Sequence, residues 1–254
     1  MEINKEEVGQ RFKRSMLSYD ANARVQKLVV ERLETMITSV AGVRDGKILE
    51  IGCGTGLLTR RLKRDFPEAG LYLNDLVRDL CYHAADGNSV PGECCFPGDV
   101  EKIAFPSCFD LIVSASTFQW FTTPGETFRK LAGCLKTGGL MVFSTFGKHN
   151  LREIRLTTGG GLDYRCKEEM SELLSPCFEV EEVAEELHVI EFDSPLEVLQ
   201  HLKRTGVNVS GNPTIWTKGR VDAFINDYNT RFAVNGKVTL TYHPLYFVCR
   251  KTES

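Results

Sequence analysis

The stretch Ile48–Leu57, "ILEIGCGTGL", limits the possible folds more than any other part of the chain. A strand-like apolar run, "KILEI", ends in three glycines spaced by single residues, and "LLTRRLKRDF" then reads as a helix. Glycine permits positive φ in a sharp strand-to-helix turn, and its missing side chain lets a ligand approach the backbone. A dinucleotide fingerprint, G-x-G-x-x-G, requires its third glycine at position 57, but that residue is Leu57 and the third glycine is Gly56. No Gly-Lys-Ser/Thr follows the turn, which excludes a P-loop.

Strands and helices keep alternating after the turn. "GLYLND" reads as a strand ending at Asp75, "LVRDLCYHAAD" as a helix, "FDLIVSAS" as a strand and "TPGETFRKLAGCLK" as a helix. Gly138 and Gly139 break that helix before the strand "LMVFSTF". Such alternation implies an α/β fold whose parallel sheet is covered on both faces, with its binding crevice at the C-terminal strand ends, where the glycine turn falls. Before the turn, Val25, Leu28, Val29, Leu33, Met36, Ile37 and Val40 have helical spacing, and Gly42 offers a stop. After Phe146, "EEMSELLSPC" reads as a helix and "FEVEEVAEELHVIEF" holds a strand. Two helices follow, "PLEVLQHLKRTG" and "GRVDAFINDYNTRF", and "KVTLTYHPLYFVCRK" reads as a closing strand.

The expected organisation is one domain over residues 1–254: N-terminal helices at 1–40, a cofactor-binding core at 46–147, the fifth-strand connection and sixth strand at 148–194, a helical insertion at 195–235 and a last strand at 236–252. The expected architecture is a Rossmann-like, doubly wound, mostly parallel sheet with an antiparallel last strand. The N-terminal segment and the insertion form a helical lid over the crevice. A length of 254 residues is ample for one large core. A net charge of −3 argues against a nucleic-acid binder. No apolar run approaches the roughly 18 residues that span a bilayer, and the first residues lack a signal-peptide core, so no membrane partner is expected. Nine cysteines without a C-x-x-C pair, and five histidines that do not cluster with them, argue against a disulfide framework and a metal site. A reducing cytoplasm is the expected setting.

Taken alone, the glycine triplet is equally a plain turn. Together with downstream acids, Glu50-x-Gly52-x-Gly54-x-Gly56 resembles motif I of the class I S-adenosylmethionine-dependent methyltransferases. The resemblance implies that Glu50, Gly52, Cys53, Gly54 and Gly56 seat S-adenosylmethionine, leaving S-adenosylhomocysteine as product, without a metal. Asp75, with Leu76 beside it, is then expected at the ribose, since vicinal hydroxyls donate and a carboxylate accepts both. "GDVEKIAF" resembles the stretch that meets the adenine, through Asp99 and Val100, and the "FDLIVSAS" strand, with Ser114, flanks the methionine part.

Outside this core, five segments in order resemble the biotin-pathway malonyl-acyl carrier protein O-methyltransferases: "RFKRSMLSYDANARVQ", "STFQWF", "FSTFGKHNLREIR", "SPLEVLQHLKRTGVN" and "LTYHPLYF". Arg152 and the stretch "TGVNVSGNPTIW" depart from the family's pattern. The resemblance implies methyl transfer to the free carboxylate of malonyl-acyl carrier protein, or malonyl-CoA, giving a methyl ester primer for biotin synthesis. A carboxylate with a pKa near about 4 is already ionised and needs no base, which suits a chain without a Ser-His-Asp or metal constellation. A methyltransferase for a free small carboxylic acid, an NAD-dependent dehydrogenase and a non-catalytic binding module are the alternatives.

Candidate roles follow from position. Tyr19 lies on the segment that folds over the crevice, where it contacts the methionine end or the substrate carboxylate, or anchors the lid. Gln119 and Trp120 follow the fourth strand, where the indole offers an aromatic face to a sulfonium or packs in the core. Tyr242 and His243 point to opposite faces of one strand; Tyr242 is preferred as a site residue, and His243 is either a substrate contact or structural. Arg14 and Arg152 suit a carboxylate, since guanidinium binds it in two-pronged fashion. An acidic carrier protein implies a basic docking patch, for which Lys148, Arg152, Arg155, Lys203, Arg204, Lys218 and Arg220 are the supply.

Overall fold

The computed structural model describes residues 3–40, 42, 45–106, 108–207 and 217–252. Residues 208–216, which hold most of the departing stretch "TGVNVSGNPTIW", lie outside the described residues. Two helices open the chain, α1 (Lys5–Asn22) and α2 (Arg24–Val40). The alternating core follows as β1 (Lys47–Ile51), α3 (Leu57–Asp65), β2 (Gly70–Asp75), α4 (Arg78–Gly87), β3 (Cys95–Pro97), β4 (Phe109–Ser114), α5 (Pro124–Cys134) and β5 (Leu135–Phe146). Then come α6 (Arg152–Thr158), α7 (Lys167–Leu174), β6 (Phe178–Glu185), β7 (His188–Phe192), α8 (Pro195–Arg204) and α9 (Lys218–Phe232), with β8 (Ala233–Val234), β9 (Lys237–Tyr242) and β10 (Pro244–Lys251) last.

Seven strands form one sheet in the order β3-β2-β1-β4-β5-β10-β6. β3, β2, β1, β4 and β5 pair in parallel, whereas β10 enters antiparallel between β5 and β6. The doubly wound, mostly parallel sheet with an antiparallel last strand is therefore as the sequence implies. Strand periodicity sorts alternate residues to opposite faces. Ile48, Leu111, Val113, Val142 and Val248 join one cluster with Leu33 and Ile37 of α2 and Leu58 of α3. Leu49, Ile112, Met141, Phe143 and Phe247 join the other with Phe128 and Leu131 of α5 and Met170 of α7. A layer of helix therefore covers each face.

Two expectations change. "KVTLTYHPLYFVCRK" is not one strand but β9 and β10, in different sheets, because β7, β9 and β8 make a separate three-stranded sheet. Pro244 accounts for the break: it has no N–H for the ladder and restricts the residue before it. His243 accordingly leaves the ladder, donating its N–H to Asn150 Oδ1 at 3.2 Å and accepting from Gly147 N–H at 2.8 Å. "FEVEEVAEELHVIEF" likewise divides into β6 and β7, one in each sheet. The buried face of α2 also differs: Leu28 is 42% exposed, while Gln26 is buried beside Val25, Val29, Val30 and Leu33.

The α1 helix packs on α8, where Ser18 donates to the Arg204 carbonyl at 3.3 Å. No described helix is long and apolar enough to cross a membrane. One buried carboxylate joins α6 to the small sheet. Glu153 is fully buried and accepts from the Thr241 N–H at 3.0 Å and from the Thr241 hydroxyl at 2.5 Å. Glu153→Ala strands both Thr241 donors, so about 3 kcal/mol of stability is expected to go, read as a Tm lower by roughly 5–10 °C. Glu153→Gln, which keeps an acceptor, should lose less.

Candidate active site

Sheet order brings the parts of the site side by side. Asp99 follows β3, Asp75 ends β2, Gly52 follows β1, and Ala115 to Thr117 follow β4. Together they line one cavity of about 140 Å³, over which α1 and α2 close. The α1 helix faces it with Lys5, Val8, Gly9, Phe12, Met16 and Tyr19, which is the stripe that 3.6-residue periodicity predicts.

The glycine turn is held by its own backbone. The N–H groups of Gly52 and Cys53 both donate to the Asn74 carbonyl, at 2.8 and 2.9 Å, and Gly54 N–H donates to Asp75 Oδ2 at 2.9 Å. Gly52, at φ +70°, has no room for a side chain, since a Cβ there would lie 2.1 Å from the Thr117 hydroxyl. Gly54, at φ +54°, is the opposite case: a Cβ would meet nothing within 4 Å. The protein leaves that space open at the cavity, as a cradle for a ligand requires. Gly56, at φ +84°, caps α3 against Ala84 and does not itself line the cavity.

The acids fit the donor groups of the expected cofactor. Asp75 is buried, and its second oxygen accepts from Val77 N–H at 2.7 Å. Burial pushes its carboxyl up to about 6 although two N–H groups pull the other way, and each oxygen keeps a lone pair for a hydroxyl. Burial pushes Glu50 up to about 8, against the Thr59 hydroxyl that donates to it at 2.6 Å. A buried carboxyl of this kind regains its charge when a cation enters the cavity. Asp99 Oδ1 accepts from Lys5 Nζ at 2.6 Å and from Glu101 N–H at 3.0 Å. Among the described residues, Asp99 Oδ2 takes no hydrogen bond. Leu76, Val100 and Cys53 complete this wall. The Cys53 thiol is pushed up by its hydrogen bond with Cys81 and by burial, so it stays protonated.

Lys5 also pairs with Glu101. Glu101 accepts from the N–H groups of Thr122 and Thr123 at 3.0 and 2.7 Å, so one carboxylate fastens the start of α1 to the loop before α5. Burial pushes that carboxyl up, but Lys5 and the threonines outweigh it and hold it at about 2.

Several candidates reach the cavity and several do not. Tyr19 and Trp120 line it, joined by Phe12, whose ring lies 6.5 Å from Tyr19 and 6.0 Å edge-on to Trp120. Burial pushes the Tyr19 hydroxyl well above its ordinary range, so it is a neutral donor at physiological pH. Gln119 does not line the wall: its amide donates to the Ser116 carbonyl at 2.6 Å and accepts from Thr145 at 3.4 Å. Ser114 is fully buried and donates to the Ile51 carbonyl at 2.8 Å, stapling β4 to β1, so Ala115 to Thr117 take its expected place. Tyr242 is 1% exposed and bonded to His201 Nε2 at 2.8 Å, because β9 belongs to the small sheet.

His243 also lies apart from the cavity. Its Nδ1 accepts from His149 N–H at 3.2 Å, which leaves the proton on Nε2, facing Glu185 at 3.3 Å. Burial lowers its pKa and keeps it neutral. Arg14 is exposed on the face of α1 turned away from the lining stripe, and Arg152 is exposed beside Glu153 at 3.4 Å. Neither guanidinium enters the cavity. Among the described residues Lys5 is the one basic side chain in its wall. Lys5 and Gln26 are lining residues that the sequence reading passed over. The available signal was a polar residue inside the apolar spacing of each helix.

The Methyltransferase domain family matches residues 49–143. The chain is 36% identical over 258 residues to a malonyl-[acyl-carrier protein] O-methyltransferase of Bacteroides thetaiotaomicron, covering 98% of this chain and 99% of that one. It is 37% identical over 248 residues to a protein of the same name from Bacteroides fragilis, covering 96% of this chain but spanning half of that longer one. Among solved structures, the N-methyltransferase NodS of Bradyrhizobium japonicum, in complex with S-adenosylhomocysteine, shares the fold with a TM-score of 0.57 and 16% identity, over 97% of this chain and all of that one.

Two glycine substitutions separate folding from binding. Gly52→Ala forces a clash and should abolish folded protein. Gly54→Ala should fold, losing about 1 kcal/mol to positive φ, yet lose affinity for S-adenosylhomocysteine by calorimetry. A third expectation concerns pH. Native Glu50 holds its proton to about 8, but in the unfolded chain it releases it near about 4.3, so its burial costs stability increasingly as pH rises between the two. Glu50→Gln should therefore melt higher than the parent protein without ligand at pH 8, with the gap closing towards pH 5.

Proposed function

This chain belongs to the malonyl-[acyl-carrier protein] O-methyltransferase family, and we propose that it methylates the free carboxylate of a malonyl group carried as a thioester on acyl carrier protein. The product is the malonyl methyl ester that primes biotin synthesis. The observation that carries this reading is one cavity that gathers Glu50, Asp75 and Asp99 from three adjacent strands beside Tyr19 and Trp120, with Lys5, tied to Asp99 and Glu101, as the one basic side chain in its wall among the described residues.

S-adenosylmethionine, when bound, supplies the electrophilic methyl group on a sulfonium. The chain's own residues bind and orient. Asp75 accepts from the ribose hydroxyls and Asp99 from the adenine amino group. Glu50 balances positive charge at the other end, and Trp120 offers an aromatic face to the sulfonium. The acceptor is ionised at neutral pH, so no residue is needed to remove a proton. Tyr19, a neutral donor in the wall, donates to it. A neutral donor positions a carboxylate without the charge neutralisation of a guanidinium, which leaves more of its nucleophilicity. Phe12 and Met16 of α1 screen the reacting atoms from water. Nine cysteines without a C-x-x-C pair suit action in a reducing cytoplasm.

For carrier docking, Arg14 on α1 and Lys203 and Arg204 on α8 are exposed where the two helices meet. Lys148, by contrast, is paired with Glu169 at 2.6 Å, and Arg155 donates to the Lys148 carbonyl. The docking patch therefore centres on α1 and α8.

Incubation with methyl-labelled S-adenosylmethionine should give base-labile label on malonyl-acyl carrier protein and, more weakly, on malonyl-CoA. Label on free malonate alone would favour a small-acid methyltransferase, and no ester on any malonyl substrate would defeat the assigned acceptor. Arg204→Glu should raise KM for the carrier-bound substrate by about 10-fold while barely changing turnover of malonyl-CoA. Equal effects on both would remove the patch.

A further inference from the structure

We propose that Gln26 is a cofactor-binding residue whose amide oxygen accepts a hydrogen bond from the α-ammonium at the amino-acid end of the methyl donor. The inference rests on the cofactor reading above and adds a residue to it. Gln26 occupies the first turn of α2, is 7% exposed, and lines the cavity. Its neighbours on the same helical face, Val25, Val29, Val30 and Leu33, are all apolar. An amide in such a stripe costs free energy unless it is hydrogen-bonded, yet Oε1 is buried and has no partner. Only two other side-chain atoms among the described residues share that state, the Nε atoms of Arg32 and Arg155, and neither residue lines the cavity. An orphaned acceptor in the wall of a ligand cavity is one whose partner arrives with the ligand.

Sheet order says which end of the ligand. Asp99 and Lys5 mark the β3 side, Asp75 the β2 end and Gly52 the β1 end, so the ligand runs from adenine towards β4. The α2 helix packs on α3, β5 and β10, on the far side from β3. Gln26 therefore enters from the amino-acid end, in the same wall as Glu50, Leu57 and Leu58. There the chain presents two buried acceptors, the Glu50 carboxyl and the Gln26 amide oxygen. A group with several N–H donors and a positive charge satisfies both, and an ammonium has three. A carboxylate has no proton to offer the Gln26 amide oxygen.

The test is Gln26→Met, which keeps the volume, suits the apolar stripe and removes the orphan. Without ligand the variant should melt at or above the parent temperature, since replacing an unsatisfied polar group by an apolar one of similar shape is neutral or favourable. Calorimetric Kd values should rise about 10- to 100-fold for S-adenosylmethionine, S-adenosylhomocysteine and decarboxylated S-adenosylmethionine, as expected for loss of a hydrogen bond to a charged group. Binding of 5′-methylthioadenosine, which lacks the amino-acid end, should not change. Unchanged affinity for S-adenosylhomocysteine overturns the proposal. So does an equal loss for 5′-methylthioadenosine, or full retention of the decarboxylated compound, which keeps the amine and lacks the carboxylate. If the parent protein binds none of the four, the cofactor reading itself fails instead.

Discussion

The site depends on one short set of hydrogen bonds between the ends of β1 and β2. The Asn74 carbonyl receives two successive N–H groups of the glycine turn, and the next side chain, Asp75, receives a third. Parallel strands leave their last N–H and carbonyl groups unpaired at the sheet edge, where a ligand or a turn must satisfy them. Here the turn is satisfied by the neighbouring strand. The same contacts aim Asp75 at the cavity and hold Gly54 open towards it. A shift of β2 by one residue would exchange Asn74 and Asp75 between faces and remove both functions at once.

Around that clamp, burial shapes the electrostatics. Glu50 and Asp75 sit in the wall with few polar partners, and both carboxyls are raised by desolvation. Asp99 and Glu101 are instead tied to Lys5. The cavity thus has an end already neutralised by the protein, near the expected adenine, and an end that is not. A ligand neutral at one end and cationic at the other matches this gradient.

The core was legible in the sequence because its signals are local. Strand-turn-helix alternation pointed to the parallel sheet, and the resemblance to motif I and the stretches after it singled out Glu50, Gly54, Asp75 and Asp99, which share one cavity wall. What was not legible depended on tertiary placement. Tyr242 and His243 read as one continuous strand, yet Pro244 diverts them from the main sheet. Arg14 and Tyr19 share α1, but helical phase turns only Tyr19 inwards. Ser114 has a side chain of the right type at a strand end, and only the structure shows it spent on the Ile51 carbonyl. Gln26 is hidden in the sequence because it sits in an apolar helical stripe that periodicity alone assigns to packing.

The placement of β10 has a consequence for how the molecule is made. β5 and β6 do not pair with each other; each pairs with β10, which follows both in the chain. Until it emerges, β5 presents a bare edge and β6 has no partner in the sheet, which are templates for misassociation. The ligand turn and its acids, by contrast, lie wholly within the first half of the chain. The strands that carry the ligand turn and its acids pair without β10, whereas closing the sheet waits on a pairing distant in sequence.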